Sequence, residues 1–328
     1  MDSNVLENES HFEHSELDKK CKLYKNVVSR FAQDEEVCVS LSGGVDSMVI
    51  ISILKEKCKC TALHINYKNR EESDDEQAFL ERWCEHYDVP LKVLTMKITR
   101  NGSDRNEYEK ETNALRFAFY KENSDTIVLG HHRNDIVENV IANAMARKSL
   151  FELHSMPYTS TIHDVTVKRP LIDNYKFEIM SFAMNHKIPY FKDTTPDWSV
   201  RGRLRNSLFK SFESIYKNYD LALYSLADEC LEWKGIVHEH IIEPMYESVF
   251  TNYPRSDDIY IPRNILERKP FAIWKRFFMY TLHKNGKSMI PNSSMSELYK
   301  KCSNSGFMGK VQLKKDMVCE AINGYLII

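Results

Sequence analysis

From Glu36 onward the chain alternates short apolar runs with amphipathic stretches. Val37–Leu41 reads as a buried strand and Val45–Lys57 as the helix that follows it. The same reading predicts a strand over Cys60–Tyr67, a helix over Asp74–Tyr87 and a strand over Leu91–Met96. A helix over Glu107–Glu122, a strand over Thr126–Gly130 and a helix over Asn134–Arg147 continue the alternation. Strands and helices taking turns predict an α/β fold, a parallel sheet with helices on both faces. Ligands of such sheets bind beyond the carboxyl ends of the strands.

Past Arg147 the rhythm weakens. Val165–Lys168 leads into Arg169-Pro170-Leu171, a helix is predicted near Lys176–His186, and Ile188–Phe191 reads as a short strand. An irregular polar stretch runs from Asp193 to Gly202, and from Leu204 to about Met245 the apolar spacing is helical. The expected organisation is a flexible lead over 1–20, an α/β domain over 21–215 and a smaller, mostly helical α+β domain over 216–328. In the last, helices are predicted near Pro270–His283 and Ser294–Lys301, followed by short strands through Ile328.

The 328 residues suffice for two domains with cores of their own, and 42% hydrophobic with 28% charged residues is ordinary for a soluble globular chain. Net charge is −2, so an RNA-binding surface has to come from local clustering rather than a global basic excess. No apolar run approaches the roughly 20 residues of a membrane span, and the polar, acidic N-terminus lacks a signal peptide's apolar stretch. The expectation is a cytoplasmic protein with no membrane association. Eight cysteines are scattered, with Cys58 and Cys60 the one close pair, and they read as reduced, mostly buried thiols.

The sharpest chemical signal is Ser42-Gly43-Gly44-Val45-Asp46-Ser47, between a predicted strand and a predicted helix. The glycines free the backbone to turn tightly and approach an anion. Ser42 and Ser47 offer hydroxyls, and the N–H groups opening the helix point at the ligand with the positive dipole end behind them. The Lys-Ser/Thr ending of the Walker loop is missing, so an ordinary NTPase loop does not fit. At roughly 7% per residue type, five specified positions match by accident in about one chain per thousand.

Further segments carry candidate chemistry. On the helix containing Tyr108–Phe117, Glu109, Asn113 and Arg116 share one face at spacings of four and three. Gly130-His131-His132-Arg133-Asn134-Asp135-Ile136-Val137-Glu138-Asn139 follows a strand, which puts His132 and Asp135 at the carboxyl edge of the sheet. Asp135 and Glu138, three apart, share a helix face and offer hard oxygens for Mg²⁺. Arg201, Arg203, Arg205 and Lys210 crowd a segment containing Trp198. A phosphate-binding and base-stacking surface and a solvated charge run are equally good readings of that cluster.

Ser42–Ser47 resembles the SGGxDS signature of the PP-loop ATP pyrophosphatases, which cleave ATP between its α and β phosphates. Within that group the downstream segments look like those of the tRNA(Ile)-lysidine synthetases. The resemblance runs over residues 36–210 and, more loosely, 258–328. Glu109 to Arg116 is similar to the family's Glu, Ala-Arg and Arg-Tyr stretch, with Asn113 where the family usually has Arg. Gly130 to Asn139 resembles its His-x-x-Asp-Asp-x-x-Glu-Thr segment, with Asn134 replacing the first Asp. Met156 and Arg169-Pro170-Leu171 match its Met and Arg-Pro-Leu. Phe191-Lys192-Asp193-Thr194-Thr195 and Arg205-Asn206 look like its Asp-x-Ser and Arg-Asn stretches.

The resemblance implies ATP as co-substrate with Mg²⁺, and tRNA and free lysine as partners; the oligomeric state stays open, a homodimer included. It implies ATP binding by Ser42, Gly43, Gly44, Val45, Asp46 and Ser47. Catalytic work falls to Asp46, Asp135, Arg116 and His132, metal binding to Asp46, Asp135 and Glu138, and substrate or RNA contact to Glu109, Arg169 and Arg205. Two rivals remain: a tRNA thiolase of the same superfamily, which generally needs paired cysteines, and an RNA-binding relative with decayed catalytic machinery.

Overall fold

The structure, a computed structural model, describes residues 6–7, 12, 14–68, 72–96, 105–154, 156–191, 199–251, 258–303 and 306–328. By internal packing the chain divides into Met1–Cys230 and Leu231–Ile328, whereas the sequence reading put the division near 215. The first unit runs β1 (Leu6–Glu7), α1 (Lys22–Val28), β2 (Glu36–Ser40), α2 (Val45–Leu54), β3 (Lys59–Asn66), α3 (Ser73–His86) and β4 (Leu91–Thr95). It continues through α4 (Arg105–Asn123), β5 (Thr126–Val128), α5 (Arg133–Met145), β6 (Thr159–Ile162), β7 (Val165–Lys168), α6 (Lys176–Asn185) and β8 (Tyr190–Phe191). Next come α7 (Val200–Arg203), a π-helical segment over Leu204–Leu208, α8 (Phe209–Ile215) and α9 (Tyr219–Val237), within which the division falls.

Six strands form one sheet in the order β4-β3-β2-β5-β7-β6. The first five are parallel and β6 is antiparallel on the edge. The chain leaves β2 toward β3 and β4, then returns through α4 to place β5 on the other side of β2. That reversal opens a crevice between the carboxyl ends of β2 and β5, where ligands of open parallel sheets bind. The sequence motifs follow these two strands.

Local chemistry explains the elements. Every residue of α2 except Asp46 is buried, so this helix lies inside the main core and its sequence is apolar all round. It stops at Leu54, short of the expected Lys57, because Lys57 and Cys58 turn their N–H groups back onto Leu54 O at 2.9 and 2.7 Å. The hairpin partner β6 was not anticipated. Its turn, His163-Asp164, has φ of 48° and 60° without a glycine, a left-handed pair of the type that joins two-residue hairpins. The expected strand at Ile188–Phe191 is reduced to β8, which pairs with β1 outside the main sheet.

The second unit completes its chain with α10 (Glu243–Phe250), β9 (Tyr260–Pro262), α11 (Arg263–Leu266), α12 (Phe271–Lys284), α13 (Asn292–Cys302), β10 (Gly309–Lys314), β11 (Met317–Ile322) and β12 (Tyr325–Ile327). Its strands form an antiparallel sheet in the order β10-β11-β12-β9. Phe277, Phe278 and Leu282 of α12 and Leu298 of α13 are fully buried in its core. Among the described residues no helix is long and apolar enough to cross a membrane.

Candidate functional site

The loop after β2 is held open by its own side chains. Gly43 has φ +83°, a conformation that L side chains rarely adopt, and an added Cβ would stand 3.2 Å from Phe191 Cδ2. Phe191 N–H donates to Gly43 O at 2.9 Å, tying the loop to β8. Ser47 Oγ donates to Gly44 O at 2.9 Å, and Ser42 N–H donates to Ser47 Oγ at 3.2 Å. The hydroxyls of Ser42 and Ser47 lie 3.2 Å apart. Gly44 caps α2 in an extended conformation, Val45 is buried at its first position, and the N-cap glycine has no side chain to close over the first N–H groups. A phosphate is the natural partner for such an end.

Asp46 projects from the first turn of α2 toward the start of two other helices. Both its oxygens accept from Lys176 Nζ, at 2.8 and 2.7 Å. His132 Nε2 stands 3.9 Å from Asp46 Oδ1 and 3.6 Å from Asp135 Oδ2, so the buried imidazole lies between the two carboxylates. The loop after β2 and the helix start after β5 thus meet across the switch point. Close approach is enforced by Gly130, where an added Cβ would fall 3.0 Å from Asp46 Cβ.

Asp135 is buried, and burial alone would raise its carboxyl. His132 and His131 nearby, with the His132 N–H that donates to Asp135 Oδ2 at 2.9 Å, overcome that and hold it below the usual range. Glu138, 3% exposed, goes the other way: burial pushes its carboxyl up despite the pull of Arg205. Arg205 Nε donates to Glu138 Oε1, its Nη2 lies 3.4 Å from Asp135 Oδ1, and Arg201 Nε lies 3.6 Å from Glu138 Oε2. Arg205 comes from the π-helical segment, a local irregularity frequent at functional sites.

The other expected residues fall in different places. Arg169 is 2% exposed and its guanidinium is committed inside the protein. Its Nε donates to His131 Nδ1 at 3.2 Å, and its Nη1 donates to Pro157 O and Ser160 Oγ, both at 2.9 Å. The buried Arg169 is therefore a strut beneath the His131-His132 segment rather than a side chain facing RNA. Burial, with Arg169 adding to it, pushes the His131 imidazole down to about 4 and keeps it neutral. Arg116 Nη2 donates to Asn113 Oδ1 at 2.6 Å, which gives Asn113 a positioning role in place of a charge. The charge of Arg116 reaches His131. The side chain of Glu109, along with Lys192–Trp198, lies outside the described residues.

Three carboxylates were expected to share a metal, but among the described residues no three His, Cys, Asp or Glu side chains are arranged to hold one. Glu138 is turned into the arginines. Asp46 and Asp135 stand on either side of His132, with both oxygens of Asp46 accepting from Lys176; one or two carboxylates are what Mg²⁺ commonly takes from a protein.

Sequence reasoning missed Lys176. A cation in the first turn of a helix is disfavoured by the dipole, so Lys176 beginning α6 was a signal that a carboxylate lay nearby. It also missed what Asn134 does: its Oδ1 accepts from Lys176 N at 2.9 Å and fixes the start of α6 against that of α5.

Comparison with known proteins agrees with this geometry. The PP-loop domain family matches residues 14–212. A tRNA(Ile)-lysidine synthase of Chlamydia abortus is 30% identical over 249 residues, covering 73% of this chain and 78% of that one. The tRNA(Ile)-lysidine synthase of Chlamydia trachomatis serovar D is 26% identical over 340 aligned positions, covering 100% and 99%. Among solved structures, a U34-tRNA thiolase from Methanococcus maripaludis shares the fold with a TM-score of 0.53 at 17% identity, over 65% of this chain and 80% of that one. With a PP-loop at the switch point and relatives matched along its whole length, this chain belongs to the tRNA(Ile)-lysidine synthase family of PP-loop enzymes.

Proposed function

We propose that this protein adenylates the wobble cytidine of tRNA(Ile) with ATP and joins lysine to it, forming lysidine with release of AMP and pyrophosphate. The observation that carries the reading is the meeting of Asp46, Lys176, His132 and Asp135 beside the open helix end after β2. The cytidine O2 attacks the α-phosphorus and pyrophosphate leaves. The lysine ε-amine then attacks C2 and AMP departs with the former O2.

Charge builds on pyrophosphate in the first step, so donors must stand ready before it forms. The N–H groups after Gly43, the hydroxyls of Ser42 and Ser47, and Lys176 are such donors. Mg²⁺, held by Asp46 and Asp135, would neutralise phosphate charge. In the second step the amine must lose a proton, and a carboxylate of raised basicity suits that task. Glu138, raised by burial, has that basicity once it is released from Arg205 and Arg201. The target base must leave its stack to reach the crevice, as for other base-modifying enzymes.

Thiolation finds less support. Cys58 and Cys60 lie at the amino end of β3, opposite the loop, and burial raises both thiols, Cys60 to about 12. The test is incubation with ATP, radiolabelled lysine and a tRNA(Ile) bearing a CAU anticodon. Label entering the RNA with AMP in equal amount supports the reading; AMP without label, or no AMP, overturns it.

A further inference from the structure

Beside the carboxylate cluster runs a row of flat side chains, rooted at Tyr224 against a buried core cluster and ending in a ring that the chemistry above does not use. Tyr175 caps α6, and Lys176 and Phe177 follow it. The Tyr175 and Phe177 rings are stacked, with centroids 5.6 Å apart and planes 24° from parallel. The Arg133 guanidinium lies 4.4 Å from the Tyr175 centroid and 3.8 Å from that of Tyr224 on α9. Tyr224, Arg133, Tyr175 and Phe177 therefore form one continuous row, three rings joined through a guanidinium.

The row is fixed to the site at two points. Arg133 follows His132 directly, and its N–H donates to Asn174 O at 2.9 Å. Lys176, between the two stacked rings in sequence, is the residue bound to Asp46. The free end is Phe177, 68% exposed. Ile179, Phe182 and Ala183 form the buried face of α6, so Phe177 adds little to folding. A single exposed phenylalanine needs no explanation. One that ends a stacked row at the carboxyl edge, flanking a catalytic lysine, does.

We propose that Phe177, backed by Tyr175 and Arg133, is a stacking platform for an unpaired RNA base next to the one being modified. The platform offers a ring face with the Arg133 guanidinium behind it. A nucleotide supplies the complement of both, a π-face and a phosphate, whereas an apolar protein segment answers only the first. Stacking of this kind tolerates any base identity, so the platform positions the strand and leaves recognition of the cytidine to the crevice. The inference rests on the RNA-modifying reading above.

The experiment compares wild type, Phe177→Ala and Phe177→Trp for affinity to the unmodified tRNA(Ile) transcript by fluorescence anisotropy, with ATP affinity and melting temperature measured alongside. The expected result is RNA binding weakened about tenfold or more in F177A, and retained in F177W. ATP affinity and melting temperature stay unchanged in both. F177A binding RNA within twofold of wild type overturns the platform, as does F177W as weak as F177A, or an equal loss of ATP affinity. A wild-type protein that ignores the transcript removes the RNA-modifying reading and the platform together; wild-type binding matched by F177A removes the platform alone.

Discussion

Gly130→Ala tests whether the loop after β2 and the helix start after β5 work as one unit. The new Cβ would fall 3.0 Å from Asp46 Cβ, 3.3 Å from Ser47 N and 3.4 Å from Asp46 C. Carbon atoms rest at about 3.5–4.0 Å, so one side must retreat by roughly 0.5–1 Å. The opposing atoms, Asp46 Cβ and the Asp46–Ser47 backbone, belong to the first turn of a helix buried everywhere but at Asp46, and cannot swing aside as the end of a long side chain would. Overpacking of this size costs about 1–3 kcal/mol, which the protein survives. The catalytic loss is larger, since displacing reacting groups by about 1 Å costs about a hundredfold. The assay is AMP release with tRNA and lysine, read beside a thermal melt. G130A is expected to fold with a modestly lower melting temperature and to lose about ten- to a hundredfold in rate. Gly235→Ala, whose added carbon meets nothing within 4 Å, is the matched neutral control. A G130A protein with wild-type turnover would refute the coupling of the two segments.

Three other outcomes follow from the same geometry. Lys176→Met removes the cation that occupies both oxygens of Asp46. Mn²⁺ binding without nucleotide, followed by electron paramagnetic resonance, should tighten about tenfold, as expected for losing one charge-assisted contact; unchanged affinity contradicts the assignment of Asp46. Gly43→Ala combines a φ of +83° with a contact of 3.2 Å to Phe191. It should lower stability by about 1–3 kcal/mol in denaturant titration, and a loss near zero would refute the strain. His131 is held near 4 in the folded protein against 6.5 unfolded, so the fold favours its neutral form. Its contribution is full above pH 6.5 and is lost as pH falls toward 4. His131→Asn should flatten the fall of stability over that window, measured by urea unfolding at stepped pH; an unchanged slope counts against it.

The alternating frame of the first unit was legible because parallel strands buried on both faces leave apolar runs, and their covering helices leave periodic ones. The hairpin partner β6 was not, since His163 and Asp164 adopt left-handed conformations usually given to Gly or Asn. Ser42–Ser47 was legible as the loop of a PP-loop domain because its signal is local: a turn, two hydroxyls and a helix end. Lys176 was not, because its meaning lies in an aspartate 130 positions away. Arg169 shows the limit from the other side. A sequence gives its charge but not its direction, and only the fold turns it inward onto His131. Asn134 and Asn113 looked like losses of charge, yet each has a positioning bond that sequence spacing alone does not reveal.

Oxygen tracing is the most direct test of whether the loop presents the α-phosphorus of ATP to the RNA. A tRNA(Ile) carrying oxygen-18 at O2 of the wobble cytidine is turned over with ATP and lysine, and the released AMP is weighed by mass spectrometry. The account predicts that the heavy oxygen appears in AMP, one atom for each lysine joined. AMP of ordinary mass, or ADP as the nucleotide product, would contradict it.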